Sequence, residues 1–243
     1  MKIAVLGTRG IPNNYGGFEQ CAEFLSIGLV KKGHSVTVYS PSFHPYSKSF
    51  YKGVKIIKKN SPQNIFGSSA SNFIYDYLCL KDATKRDFDI ILQLGLITSS
   101  LSIIFCRHRG KIIATNIDGL EWKRSKWNTL VQNLTRLLEK YGVKYSDYLI
   151  ADNLAIKDYL FKEYKVDSQL IEYGTFPIKK PNIAYLQKYN MLKENYILTI
   201  ARLEPENNLE IMFEGYINSK INMPYFVIGN HLTDYGDYLK DKY

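Results

Sequence analysis

The chain has 243 residues, 45% hydrophobic and 23% charged, an ordinary balance for a globular protein with one large or two modest domains. Lysine and arginine number 32 against 23 acidic residues, and the net charge of +9 indicates an anionic partner such as phosphate, nucleic acid or a membrane surface. Three scattered cysteines in apolar surroundings argue against a disulfide or zinc framework and predict reduced core residues of a cytoplasmic protein: Cys21, Cys79 and Cys106.

The first stretch, residues 2–19, predicts a buried strand, a glycine-rich loop and the start of a helix. The strand is the apolar run at residues 3–6, and an amphipathic segment begins at Phe18. Glycines let the backbone approach an oxyanion, and the free N–H groups of a helix's first turn attract it. We expect an anion site here, with a glycine turn that binds nothing as the alternative, because neither G-x-G-x-x-G nor a P-loop motif is present.

Strands then alternate with helices, which predicts an α/β fold with a Rossmann-like, doubly wound parallel sheet. The first helix ends near Lys31, and a second runs from about Phe73 to Arg86 after a loop that extends to Ser71. The uncharged stretch 90–106 is short and polar for a membrane span and predicts a strand followed by a helix. Further strands are predicted at residues 35–39, 54–57, 90–94, 112–115 and 148–151.

A second, smaller strand–helix–strand unit is predicted after residue 195, with strands at 196–201 and 225–228 and a helix over about 208–216. The preceding stretch is irregular and contains Pro177, Pro181 and several lysines. We therefore expect a first domain at 1–175, a linker at 176–195 and the start of a second Rossmann-like domain at 196–243. Two strands bury little core, so this second domain is expected to be incomplete.

Five segments in order resemble rhamnosyltransferase-type proteins with a DUF1972-like amino-terminal domain, within the two-domain, GT-B-fold glycosyltransferases of the retaining family four. The segments are KIAVLGTRGIPNNYGGFE at residues 2–19, NIDGLEWKRSKW at 116–127, ADN at 151–153, YG at 173–174 and ARLEPENN at 201–208. The resemblance implies a GT-B-type fold with an acceptor-side first domain and a truncated donor-side second domain.

The resemblance also implies an activity: transfer of a sugar, expected to be rhamnose, with retention from a nucleotide sugar to a saccharide or lipid-linked acceptor in capsule or O-antigen synthesis. The expected donor is dTDP-rhamnose, with no metal and no other cofactor. The backbone of Gly16 and Gly17 and the guanidinium of Arg202 would bind the donor diphosphate. Many related transferases have a lysine five residues after that arginine, where this chain has Asn207.

The segment after the strand at 112–115 is expected to lie near the transferred sugar and the acceptor. Carboxylates can hold sugar hydroxyls, and indoles can cover a sugar's apolar face. We predict Asp118 and Glu121 as the catalytic residues; the alternative for 121–126 is a solvated helix start. The residues expected to contact sugar or acceptor are Arg9, Glu19, Trp122 and Arg124.

The basic excess predicts contact with anionic lipid headgroups, which would make the protein peripheral on the cytoplasmic face of a membrane. The residues expected there are Arg107, His108, Arg109, Lys111, Lys123, Arg124 and Lys126. No nucleic-acid partner is expected, because the basic residues are dispersed and no recognition motif is present.

Two alternatives remain open. The chain could be a non-catalytic fragment that only binds the acceptor, or a nicotinamide-dependent oxidoreductase or epimerase. The second normally needs G-x-G-x-x-G and an acid after the second strand, where this sequence has Tyr39, Ser40 and Pro41. Tyr77 and Lys81 have Y-x-x-x-K spacing but lie in an apolar helical pattern that predicts core and surface positions.

Overall fold

The computed structural model describes residues 1–106, 110–117, 119–124, 127–177, 180, 182–189, 191 and 195–243. The chain divides into two compact units, Met1–Gly174 and Thr175–Tyr243. In the described part of the chain, no helix combines the length and the apolar character needed to cross a membrane.

Eight strands of the first unit form a single sheet in the order β3-β4-β2-β1-β5-β6-β7-β8. All neighbours pair in parallel except β3 and β4, which confirms the predicted α/β class and doubly wound sheet. The strands are β1 (Lys2–Leu6), β2 (Ser35–Pro41), β3 (Phe50–Tyr51), β4 (Val54–Lys59), β5 (Ile90–Leu94), β6 (Ile112–Ile117), β7 (Tyr148–Ala151) and β8 (Gln169–Leu170).

Helices cover both faces of this sheet, so β1 is buried on both sides. Ile3 and Val5 belong to one cluster with α1, while Ala4 and Leu6 belong to another with α2 and α3. A third cluster joins α4 and α5 to β6 and β7. The helices are α1 (Gly17–Lys31), α2 (Gln63–Ala83), α3 (Ser100–Cys106), α4 (Thr129–Tyr145) and α5 (Leu154–Tyr164).

The predicted loop before Phe73 is wrong, because α2 already begins at Gln63. Serine, asparagine and glycine favour loops, yet this segment is helical on both sides of a kink at Gly67, where φ is +71°. Ser71 is fully buried, so packing against the protein overrides the local preference. The short strands β3 and β8 have two residues each and give no periodic signal.

The second unit contains a two-stranded parallel sheet, which confirms the predicted strand–helix–strand order. Its core consists of Leu203, Leu209 and Leu239. The helix α8 was not predicted, and α6 lies within the stretch predicted to be a linker. The elements are α6 (Ala184–Lys188), β9 (Ile197–Ile200), α7 (Leu209–Ser219), β10 (Tyr225–Ile228) and α8 (Asp234–Lys242).

Core positions, predicted for all three cysteines, are found for two of them. Cys79 and Cys106 are buried, whereas Cys21 is only half-buried on α1.

Candidate functional site

The glycine loop, residues 7–16, leaves the sheet at the carboxyl end of β1. A β-carbon built on Gly7 would lie 1.8 Å from the carbonyl oxygen of Leu94, at the end of β5, and Gly7 has a φ of +76°. Only glycine fits such a close approach with a positive φ. The first residue of the loop is therefore fixed by the neighbouring strand.

Two carboxylates of α1 hold the glycine loop by accepting hydrogen bonds from its backbone N–H groups. Glu19 is buried, and its Oε1 accepts hydrogen bonds from the backbone N–H of Arg9 (2.7 Å) and the hydroxyl of Thr8 (3.2 Å). Glu23 accepts one from the backbone N–H of Asn13 at 2.8 Å. The predicted ligand residue Glu19 thus lies inside the loop and determines its shape.

His44, which follows β2, holds the same loop from the other side. Its Nδ1 accepts from the backbone N–H of Tyr46, so its Nε2 carries the proton and donates to the carbonyl of Pro12, both at 3.2 Å. Burial lowers the pKa of His44, which favours this neutral form. Sequence reasoning found no partner for His44, because both partners depend on how the loop folds.

The amino terminus of α1 follows the loop directly. Gly16 is the N-cap residue in an extended conformation, and no side chain caps the helix. The first-turn N–H groups therefore have no intrahelical acceptor. A β-carbon at Gly17 would meet nothing within 4 Å, so the space beside this turn is open. Just before it, the guanidinium of Arg9 covers the ring of Tyr15 at 3.8 Å.

The ends of three further segments adjoin one another at this edge of the sheet. The backbone N–H of Gly95, after β5, donates to the carbonyl of Asn116 at 3.1 Å. The Asn116 amide, on β6, donates to the hydroxyl of Tyr173 at 2.9 Å. A β-carbon on Gly95 would lie 3.6 Å from the ring of Phe18, the second residue of α1. These contacts connect β5, β6, the chain after β8 and the start of α1.

A buried acid that sequence reasoning missed lies beside these strand ends. Asp76 of α2 accepts a hydrogen bond from the hydroxyl of Thr98 at 2.6 Å, and Thr98 follows Gly95 by three residues. Burial raises the pKa of Asp76 from 3.8 to about 7. The only sequence signal was an acid within an apolar helical pattern.

The Glu121 segment, residues 119–124 and 127, shows how one predicted catalytic residue is held; Asp118 lies outside the described residues. Glu121 lies in a 3₁₀ turn, Glu121–Lys123. Its two oxygens accept from Nη1 of Arg124 at 2.9 and 3.2 Å, and Oε1 also accepts from the indole N–H of Trp127 at 2.9 Å. Glu121 is therefore oriented by its own segment.

Trp122, predicted to contact a sugar, packs against protein side chains. Its ring centroid lies 6.5 Å from that of Tyr159 on α5. The guanidinium of Arg136 on α4 and the ammonium of Lys123 lie 5.1 and 5.2 Å from the indole. These contacts fix the 3₁₀ turn on α4 and α5.

Arg202 belongs to the second unit, in the loop after β9. Its side chain is exposed, and its carbonyl oxygen accepts from the side-chain amide of Asn207 at 2.7 Å and the backbone N–H of Glu204 at 2.9 Å. Asn207, which replaces the expected lysine, thus closes the loop that presents Arg202.

A cavity of about 830 Å³ lies beside β7, β8 and the carboxyl end of α4, and none of the predicted site residues lines it. Within the described residues, no group of three or more histidine, cysteine, aspartate or glutamate side chains is arranged to hold a metal ion.

A family profile described as "Domain of unknown function (DUF1972)" matches residues 1–176, which is most of the chain. The chain belongs to the DUF1972 family. No curated protein matches it.

Solved structures with this DUF1972 chain's fold include glycosyltransferases and epimerases. The catalytic domain of starch synthase IV from Arabidopsis thaliana, bound to ADP and acarbose, is 12% identical with a TM-score of 0.67; the similarity covers 100% of this chain and 71% of that chain. A glycosyltransferase from Rickettsia africae is 14% identical with a TM-score of 0.60, and the similarity covers 99% of this chain and 64% of that chain. UDP-GlcNAc 2-epimerase from Methanocaldococcus jannaschii is 16% identical with a TM-score of 0.55, and the similarity covers 99% of this chain and 67% of that chain.

These identities show the fold alone, and they confirm the GT-B type that the resemblance implied. The DUF1972 chain spans about two thirds of the length of these solved chains.

Proposed function

We propose that the chain is a glycosyltransferase that moves a sugar from a nucleotide-sugar donor to a saccharide acceptor. The observation that carries this proposal is the glycine loop: buried side chains hold it, and it leads into an uncapped helix terminus beside open space. This terminus lies at the carboxyl edge of a parallel sheet, where such folds bind ligands. Support comes from the fold, which is shared with glycosyltransferases, one of them bound to ADP.

In the transfer, the bond between the sugar's anomeric carbon and the diphosphate oxygen breaks, and the anomeric carbon forms a bond to an acceptor hydroxyl oxygen, whose proton passes to the departing diphosphate. Negative charge then develops on the departing diphosphate, and groups that stabilise it lower the barrier. In this proposal the backbone amides of Gly16 and Gly17 and the guanidinium of Arg202 bind the diphosphate. Asn207 adds no second cation at this position.

The finer assignment rests on the resemblance of the five sequence segments. The donor sugar is rhamnose, supplied as dTDP-rhamnose and transferred with retention. Asp118 and Glu121 contact the transferred sugar, and the fixed orientation of Glu121 supports a contact that needs a well-placed carboxylate. The proposed acceptor side consists of Arg9, Glu19, Trp122 and Arg124, of which Glu19 acts by shaping the loop.

The proposed acceptor is a lipid-linked saccharide in the synthesis of a cell-surface polysaccharide such as capsule or O antigen. The protein would then work at the cytoplasmic face of an anionic membrane, which the net charge of +9 favours. Among the basic residues first expected there, Arg107, His108, Arg109 and Lys126 lie outside the described residues.

The first experiment is a calorimetric titration of dTDP and dTDP-rhamnose into the chain, with Gly17→Ala as the test variant. The added methyl group enters open space, so the fold is retained while close approach of a phosphate is blocked. We expect about tenfold weaker binding, which corresponds to about 1.4 kcal/mol.

Gly28→Ala is the matched control, because Gly28 lies on the same helix and its β-carbon also meets nothing within 4 Å. It should bind dTDP like the unchanged chain. Equal affinity of Gly17→Ala and Gly28→Ala for dTDP would show that the phosphates do not bind at the start of α1.

Turnover is measured next, with dTDP-rhamnose and a lipid-diphosphate saccharide. Donor binding with transfer supports the full proposal, whereas binding without transfer leaves a binding fragment. Since UDP-GlcNAc 2-epimerases share the fold, UDP-GlcNAc is incubated in parallel and its 2-epimer followed by NMR. Epimerisation without transfer would replace the proposed function.

A further inference from the structure

Helix α4 has two apolar faces, and only one of them is packed on the protein. The buried face consists of Thr135, Leu138, Glu139, Gly142 and Val143. The second face, here called the outer stripe, has side chains that are 75, 51, 48 and 38% exposed, in chain order: Leu130, Leu134, Leu137 and Tyr141. At about 100° per residue, these four lie within an arc of roughly 60°.

Helix α3 packs against α4 and extends this apolar surface. It exposes Leu101 and Phe105, which are four residues apart and 42 and 69% exposed. Both helices cover the same side of the sheet, because α3 shares a cluster with Ile113 and α4 shares one with Ile117. Residues four apart on a strand point to the same side, so the two exposed faces look away from the sheet together.

The exposed charges on α4 all have one sign. Arg136, Lys140 and Lys144 are exposed, whereas the helix's one acid, Glu139, is buried and accepts hydrogen bonds from two tyrosine hydroxyls. Arg136 is paired with Glu163 at 2.5 Å. Helical spacing places Lys140 and Lys144 along one border of the outer stripe.

Single exposed apolar residues are ordinary, but a stripe of four bordered by lysines is typical of helices that lie in a membrane interface. We propose that the α3–α4 face docks onto an anionic phospholipid bilayer. The outer stripe, Leu101 and Phe105 enter the boundary between headgroups and acyl chains, and Lys140 and Lys144 contact lipid phosphates.

Charge decides between this occupant and a second copy of the chain. An antiparallel twofold pairing of α4 through this face would place lysines of one copy near lysines of the other, and in a parallel pairing they would find no exposed acid on the partner's α4 either. An anionic bilayer complements the same lysines. The inference rests on the proposed function only for its purpose, which is access to a lipid-linked acceptor, and its test uses no enzymatic activity.

The test is co-sedimentation of the chain with vesicles of phosphatidylcholine alone or mixed with phosphatidylglycerol. We expect binding to the mixed vesicles that weakens at high salt. Leu134→Gln with Leu137→Gln should lower the partition coefficient about tenfold or more, because two apolar side chains leave the acyl boundary. The matched control is Leu154→Gln with Phe161→Gln, which changes two residues on α5 that are 58 and 62% exposed and should bind unchanged.

A charge variant separates the lysines from the stripe. Lys140→Gln with Lys144→Gln should weaken binding to the mixed vesicles about tenfold, whereas Lys31→Gln with Lys32→Gln, at the end of α1, should not. Thermal unfolding checks that all variants fold.

Two outcomes overturn the proposal. One is binding of Leu134→Gln with Leu137→Gln equal to that of the unchanged chain. The other is an unchanged chain that ignores vesicles but forms a dimer in size-exclusion chromatography that the same variant abolishes, which would make the face a self-association surface.

Discussion

Both units place a glycine where two parallel strands end side by side. In the first unit, a β-carbon on Gly7 would lie 1.8 Å from the carbonyl oxygen of Leu94. In the second, one on Gly229 would lie 2.0 Å from the carbonyl oxygen of Ala201. The same close approach thus brings a loop to the carboxyl edge of each sheet, where ligands bind in such folds.

The glycine loop, here the first loop, and the loop after β9 that contains Arg202, here the second loop, differ in what holds them. The first is held by the side chains of Glu19, Glu23 and His44, of which Glu19 and His44 are buried, and it leads into the uncapped first turn of α1. The second is closed by the Asn207 amide on the Arg202 carbonyl, which leaves the Arg202 side chain exposed. Changes to the first loop should therefore act mainly on stability, and changes to the second mainly on ligand affinity.

The largest expected effect is that of Gly7→Ala. Its methyl group would overlap the Leu94 carbonyl, and its φ of +76° disfavours any residue with a β-carbon. We expect the free energy of unfolding to fall by about 4 kcal/mol or more in urea titrations. Gly33→Ala is the control, since Gly33 has a φ of +85° but no atom within 4 Å of its β-carbon position, and should lose only about 1 kcal/mol. Equal losses would show that Leu94 can move aside.

The second-largest expected effect is a dependence of the free energy of unfolding on pH, caused by Asp76. Its pKa is about 7 in the folded protein against 3.8 ordinarily, so the folded state binds this proton more tightly than the unfolded state. The contribution of protonated Asp76 to the stability of the folded state is complete below about pH 4 and is lost as the pH rises through about 7. The difference in pKa corresponds to about 4 kcal/mol at most.

Asp76→Asn tests this by removing the titration while keeping an acceptor for the Thr98 hydroxyl. In urea unfolding, the variant should match the unchanged chain near pH 4 and exceed its stability at pH 8. The neighbouring Cys79 does not confuse the comparison, because burial raises the pKa of its thiol well above 9.0. A constant difference across this pH range would contradict the assignment to Asp76.

A smaller loss of stability is expected from Glu19→Ala, about 2–3 kcal/mol, because the Arg9 N–H and the Thr8 hydroxyl lose their buried acceptor. Glu19→Gln keeps a carbonyl acceptor and should recover part of that loss. Glu172→Ala, at an exposed position, should stay within about 0.5 kcal/mol of the unchanged chain. If Glu19→Ala unfolds like Glu172→Ala, water replaces the carboxylate.

Much of the fold could be predicted because apolar runs bounded by polar residues define buried strands. The bounds of β5, β7 and β10 agree with the prediction to the residue. The start of α2 could not be predicted, because its serines and glycine favour a loop until packing buries Ser71. Local preference fails where long-range packing decides.

The site was predictable only as a set of segments. Strand ends identified the glycine loop and the Glu121 segment, but the partners of Trp122 and His44 come from distant elements. Glu19, expected to contact sugar or acceptor, is buried and accepts hydrogen bonds from Thr8 and Arg9 of the glycine loop.

The smallest effects test the second loop through its affinity for dTDP. Arg202→Gln should weaken binding about tenfold, since the proposed charged partner of the diphosphate is lost, whereas Lys188→Gln, another exposed cation of the second unit, should not. Asn207→Lys adds a cation but removes the amide that holds the Arg202 carbonyl, so affinity should rise a few-fold while stability falls by about 1 kcal/mol. Calorimetry and urea unfolding on the same samples separate these two effects. If Arg202→Gln binds dTDP normally while Gly17→Ala does not, the phosphate contacts come from the start of α1 without Arg202.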